Sequence, residues 1–218
     1  MELTKLNGYA PQGIAWTPTL DELLEPKLQL VNRKEDATGT IYGKVKDNFR
    51  KNENILERYG LVFDIDKCDV DLIKSLDKAF EGYQSVIHTT YSHDPKHNKY
   101  CYRVYMTATE PIKPEDYDAV FVNFVNNNKT LSELRDKGFL DMSAEQYGRF
   151  YYDWSCHPNR QDDAYCLIKN VTSSKAHKPD TTRIKQATIK EINSPSVDPL
   201  KNFQEEYKEG TRNNSLAR

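Results

Sequence analysis

"YGLVFDIDKCD", Tyr59 to Asp69, carries an apolar run into two carboxylates one residue apart. The β-branched and aromatic residues before them predict a strand. In a strand residues i and i+2 share a face, so Asp64 and Asp66 lie on one side while Phe63 and Ile65 lie on the other. The strand therefore presents a polar site on the face opposite its core. Two carboxylates this close repel each other, and the usual relief is a shared proton or a bound divalent cation. Oxygen ligands on a strand suit Mg²⁺ or Mn²⁺, the ions of phosphoryl transfer. Alone, the motif also fits glycosyltransferases, haloacid-dehalogenase-like phosphatases and solvated strand ends.

Downstream, "DVDLIKSLDKAFEGY" spaces Val70, Leu72, Ile73, Leu76 and Phe80 on one helix face. "SVIHTTY" and "KYCYRVYMTA" predict a hairpin across the polar turn "SHDPKHN". "KPEDYDAVFVNFVNNNKTLSELRDKG" predicts a helix that starts after Pro114 and breaks near Asn126 to Asn128. "GRFYYDW" and "AYCLIKNV" predict two further strands.

Upstream, the first fifty residues are irregular in pattern, with a short helix expected before Pro26. A basic stretch with Lys44, Lys46, Arg50, Lys51 and Arg58 leads into the opening motif, either as a solvated surface or as a phosphate contact. After Val171 the sequence turns Ser/Thr/Lys/Pro-rich without apolar period, as expected of a linker or surface arm. The expected organisation is a domain over residues 1–171, an arm over 172–199, and the start of a helical module over 200–218.

A chain of 218 residues suits one compact domain with a short appendage. No apolar stretch is long enough to span a bilayer, and the N-terminus lacks the layout of a secretion signal, so a cytoplasmic protein is expected. The four cysteines form no CxxC pair, which argues against a zinc site or a disulfide framework. A net charge of -2 gives no overall electrostatic footprint for nucleic acid, so any basic groove must be local.

Three further features carry chemistry. His93 falls at a strand end, where a side chain can reach a ligand. Arg103 lies mid-strand between Tyr102 and Val104, and a guanidinium there needs a carboxylate or a phosphate. "LDMSAEQYGRFYYDWSCHPNR" adds Arg149 and two acids, Asp141 and Asp153, that compete as a third carboxylate and that pattern does not rank.

The ordered set, hydrophobic-DxD, then "YSH", then "YRVYM", then an Asp ahead of "GRFYYDWSCHP", resembles the archaeo-eukaryotic primase superfamily over about residues 40–170. The likeness is to primase-polymerase (prim-pol) domains of plasmid and phage replication proteins. It implies an α+β fold, an RRM-like antiparallel sheet flanked by helices with an N-terminal αβ portion. It implies a DNA primase/polymerase that makes and extends primers on single-stranded template from nucleoside triphosphates, with a downstream helical module and a helicase as partners. Asp64, Asp66 and Asp141 would be catalytic metal ligands for Mg²⁺ or Mn²⁺, with Asp153 the alternative to Asp141. His93 would contact the incoming phosphates, and Arg103, Arg149, Lys44, Lys46 and Arg50 would bind nucleotide or template. Two features depart from the family: the pI is acidic, about 6.2, and the zinc-binding insert of some relatives is absent. A rival expectation is an origin-binding replication initiator that keeps this fold as a DNA-binding module.

Overall fold

The structure, a computed structural model, describes residues 2–19, 22–23 and 25–169. The domain boundaries expected after residues 171 and 199 lie outside the described residues, as does the helical start over 200–218.

The N-terminal portion is built from short strands: β1 (Leu3–Asn7), β2 (Ile14–Trp16), β3 (Gln29–Leu30), β4 (Thr38–Ile41) and β5 (Gly43–Val45). β1 pairs antiparallel with β2 and with β4, and β4 pairs with a two-residue strand from late in the chain, β9 (Tyr151–Tyr152). Five short strands therefore lie among residues expected to be irregular. Their partners are remote in sequence, Thr4 opposite Ile41 and Gly39 opposite Tyr152, so no local period announces them. Before Pro26, Thr19 and Glu22 exchange a capping box: the Glu22 N–H donates to Thr19 Oγ1 and the Thr19 N–H donates to Glu22 Oε2.

The second portion follows the predicted order. β6 (Ile55–Cys68) is followed by α1 (Ile73–Ala79), the hairpin β7 (Ser85–Thr89) and β8 (Tyr100–Ile112), then α2 (Pro114–Asn127) and α3 (Lys129–Asp136). The break between α2 and α3 is Asn128, whose side chain accepts from the Leu131 N–H and caps α3. A second short strand, β10 (Ser155–Cys156), pairs parallel with β3, and β11 (Cys166–Lys169) closes the described chain. The central sheet runs β11-β7-β8-β6-β5, antiparallel throughout. Strand, helix, hairpin and helix with β8 between β7 and β6 is the RRM-like arrangement, and the fold is α+β as expected.

Period-two geometry gives the two sheet faces different neighbours. Phe63 packs on Phe80, Phe121 and Phe124 beneath the helices. On the other face Val62 joins Leu3, Leu23, Tyr105 and Tyr151, which ties the N-terminal strands to the central sheet. Asp64 shares the Val62 face, in the seam between the two portions. Among the described residues no helix is long and apolar enough to cross a membrane.

Candidate active site

Register brings the predicted residues together. Arg103 lies directly opposite Asp64, and His88 directly opposite Arg103, so the three form one row across β6, β8 and β7. Arg103 grips Asp64 as a fork, Nε to Oδ1 at 2.6 Å and Nη2 to Oδ2 at 3.1 Å, with both side chains buried. Its third nitrogen, Nη1, donates to the Tyr152 carbonyl, so the N-terminal sheet is fastened to the same guanidinium. Burial works against the Arg103 charge, but the Asp64 carboxylate outweighs it and raises the group above its ordinary value.

Asp141 arrives from after α3. Leu140 bridges to Ile65, and the Asp141 N–H donates to the Asp64 carbonyl at 2.9 Å. The Asp141 side chain accepts from the Ser143 N–H and hydroxyl and from Arg149 Nη2 at 2.8 Å. Burial pushes its carboxyl up, yet the Ser143 hydrogen bonds and the Arg149 charge prevail and hold it below the usual range. Arg149 Nη2 also lies 3.4 Å from Asp64 Oδ2, which makes this guanidinium a bridge between two acids. The buried Arg58 donates Nη1 to the Arg149 carbonyl and so supports the bridge from behind.

Asp66 is placed differently. Pairing with β8 slips between Ile65 and Cys68, and Lys67 takes a left-handed φ of 61°. This bulge interrupts the ladder at the second carboxylate, and pairing resumes with Cys68 opposite Tyr100. Asp66 is half-buried. Burial and then Asp64 push its carboxyl above the ordinary value, opposed by Arg103, a Cys101 hydrogen bond and Lys34. Lys34 was not legible as a site residue, because only the fold carries it there.

Asp153 has a different set of partners. Lys5 Nζ reaches it at 2.8 Å, and the Thr38 and Thr40 hydroxyls donate to its two oxygens. Burial is outweighed by Lys5 and these hydroxyls, so the carboxyl lies below its usual range. It borders a cavity of about 480 Å³ that also takes in Lys5, Tyr42, His88 and Trp154. Asp141, not Asp153, is the acid hydrogen-bonded into the Asp64 cluster.

His93 packs among Tyr100, Tyr102 and Tyr165, with Nδ1 against the Cys101 backbone. Burial lowers its pKa. The histidine in the Asp64 row is instead His88, buried and pushed down to about 4 by burial and then by Arg103. Its place inside the strand run "SVIHTTY", two residues after Val86 on the same face, is the signal in the sequence that points to it.

Arg50 lies over the Phe150 ring at 4.4 Å and, with Lys51, Asn52, Gly148 and Arg149, lines a second cavity of about 530 Å³. A Cβ at Gly148 would lie 1.8 Å from Asn52 Oδ1, so any larger residue there has to displace the Asn52 side chain. Lys44 and Lys46 are exposed and do not line that cavity.

The arrangement does not fit a bound divalent cation. Both Asp64 oxygens and both Asp141 oxygens are taken by donors, and among the described residues no three acidic, histidine or cysteine side chains converge as a cage. Asp66 is the carboxylate of the three that no guanidinium hydrogen-bonds among the described residues.

Comparison with known proteins gave one family and one solved fold. No curated protein matches the chain. The chain is similar to the AEP domain of the primase-polymerase of cyanophage S-2L, at 9% identity and a TM-score of 0.45, over 85% of this chain and 86% of that one. The family described as the VapE N-terminal domain matches residues 19–167. That match takes in the whole Asp64–Asp66–Asp141 cluster and its arginines, and this chain belongs to the VapE N-terminal domain family.

Proposed function

We propose that this domain is a template-directed nucleotidyltransferase, a primase-polymerase of a replicating mobile element. The observation that supports it is the assembly of Asp64, Asp66 and Asp141 with Arg103 and Arg149 at one place, from segments up to 85 residues apart. Arg103 fixes the orientation of Asp64, while Arg149, bonded to Asp141 and Asp64, is also among the residues that line the cavity with Arg50. A guanidinium lining a cavity with Arg50 and Lys51 suits the triphosphate of an incoming nucleotide. Transfer to a nucleotide depends on position and electrostatics more than on side-chain proton transfer. Mg²⁺ or Mn²⁺ belongs to the proposal as the ion that balances charge at the phosphates. Single-stranded DNA is the proposed template, with a helicase and helical module as partners in the longer process.

The test is primer synthesis and extension on single-stranded DNA with labelled nucleotides and Mg²⁺ or Mn²⁺, using the full chain. Product is expected from wild type and not from Asp66→Asn. Tight binding to one duplex sequence without any product would replace this reading with the origin-binding initiator.

A further inference from the structure

Both tryptophans of the chain, Trp16 and Trp154, line the cavity of about 480 Å³, and both are half-buried. Val86, His88 and Tyr105 line it from β7 and β8, and Lys5, Trp16 and Thr38 from β1, β2 and β4, so it lies between the two portions of the fold. Tyr42 and Tyr105 stack at 4.1 Å in its wall. His88 is its buried polar group. Nδ1 lies 2.8 Å from the Thr89 carbonyl, which only accepts, so Nδ1 carries the proton. Burial keeps the ring neutral, which leaves Nε2 a bare acceptor that no hydrogen bond reaches among the described residues. The His88 and Trp154 rings are 6.3 Å apart, which puts an acceptor and a stacking face within the span of one flat ring. Charge in the lining is spent or negative. Lys5 is held by Asp153 at 2.8 Å and lies over the Trp16 ring at 4.1 Å, and Lys27 stands against Glu22 and Glu25. No surplus cation is left for a phosphate, in contrast to the cavity of Arg50, Lys51 and Arg149, which no acidic side chain lines.

We propose that this cavity binds an amino-bearing nucleobase, its ring against the indoles and its exocyclic N–H donated to His88 Nε2. Aromatic walls with one placed polar group are the usual make-up of a small-molecule site, and bases stack on indole faces whatever their identity. The bare acceptor supplies the selection: adenine and cytosine carry the amine, and thymine does not. Phosphates gain nothing beside Glu22 and Glu25, so the ligand is the base and not a triphosphate. Two sources offer this chemistry, a free nucleoside and a base of single-stranded DNA. The second rests on the nucleotidyl-transfer reading, and the first does not.

Because the chain has no other tryptophan, the tryptophan fluorescence of the full chain reports on this cavity alone. It is titrated with adenosine beside purine riboside, which lacks the amine, and with oligodeoxyadenylate beside oligothymidylate, and affinities are checked by calorimetry. Saturable quenching is expected, with an amine-bearing probe bound about tenfold or more tighter than its counterpart. The tighter of adenosine and oligodeoxyadenylate, per site, names the source. His88→Leu should bind adenosine and purine riboside alike, at the weaker value, and Trp154→Leu should weaken both about tenfold while keeping the preference. Arg50→Ala, in the other cavity, should bind these probes as wild type does. The wild-type comparison needs no variant: if neither amine-bearing probe is preferred, or none quenches, the inference is overturned even where His88→Leu does not fold. Primer synthesis without that preference would sink this site and leave the function standing. The preference without primer synthesis would leave a nucleobase site and remove the polymerase.

Discussion

Arg103 and Asp64 form a two-point ion pair in the sheet interior, 2.6 and 3.1 Å, at directly opposed positions of neighbouring strands. An acid placed on a buried strand is thereby matched before any ligand arrives. Breaking such a pair from one side leaves a charge without compensation, at a cost of about 3–5 kcal/mol. Arg103→Ala should lower the unfolding free energy in urea by that amount. Arg103→Lys should recover only part, since it keeps the charge but not the fork.

His88 gives the fold a dependence on pH. Its buried imidazole is pushed down to about 4, whereas the unfolded chain takes up that proton near pH 6.5. Between those values the unfolded state binds more protons, so stability falls as pH falls through the window. The share from this group between pH 7 and pH 4.5 is about 2.5 kcal/mol. Urea unfolding at the two pH values should show a loss smaller by about that much in His88→Gln than in wild type.

The helix-side core rests on Phe63, whose ring lies 5.1 to 5.5 Å from three other phenylalanine rings. Phe63→Ala should cost about 3–5 kcal/mol in urea unfolding. A change under 1 kcal/mol would show that the helices do not pack on this face as described.

Gly148→Ala places a methyl group on Asn52, so it should disturb the cationic cavity rather than the core. The expected result is a loss of triphosphate affinity of about tenfold, restored in part by adding Asn52→Gly to clear the contact. Unchanged affinity in Gly148→Ala would show that this wall does not shape the pocket.

Legibility in the sequence followed the range of the interactions. The strand at Asp64, the helix Ile73–Ala79, the hairpin and the break at Asn128 are local patterns, and each is present, but Val70, expected on that helix face, lies before the helix and is exposed. The N-terminal strands were hidden because their partners lie far along the chain, as with Gly39 opposite Tyr152. The i, i+2 rule placed Asp64 and Asp66 on one face but said nothing of the bulge at Lys67 that sets Asp66 apart. A mid-strand Arg103 needs an anionic partner, and register names it as Asp64. Register also puts His88 in that row, while His93 sits against Cys101 among tyrosines. Spacing could not rank Asp141 against Asp153, because the Leu140–Ile65 bridge and the Lys5 pair are both long-range contacts.

Asp141 and Asp153 differ in what holds them, Asp141 by Ser143 and Arg149 and Asp153 by Lys5 and two threonines. Asp153→Asn should lower stability by about 1–3 kcal/mol through its Lys5, Thr38 and Thr40 partners. It should leave the acidic cluster in place. The direct measurement is template-directed nucleotide incorporation by folded Asp141→Asn beside Asp153→Asn and wild type. The expectation is a loss of about a hundredfold or more in Asp141→Asn and near wild-type incorporation in Asp153→Asn. Full incorporation by Asp141→Asn with loss in a folded Asp153→Asn would contradict it.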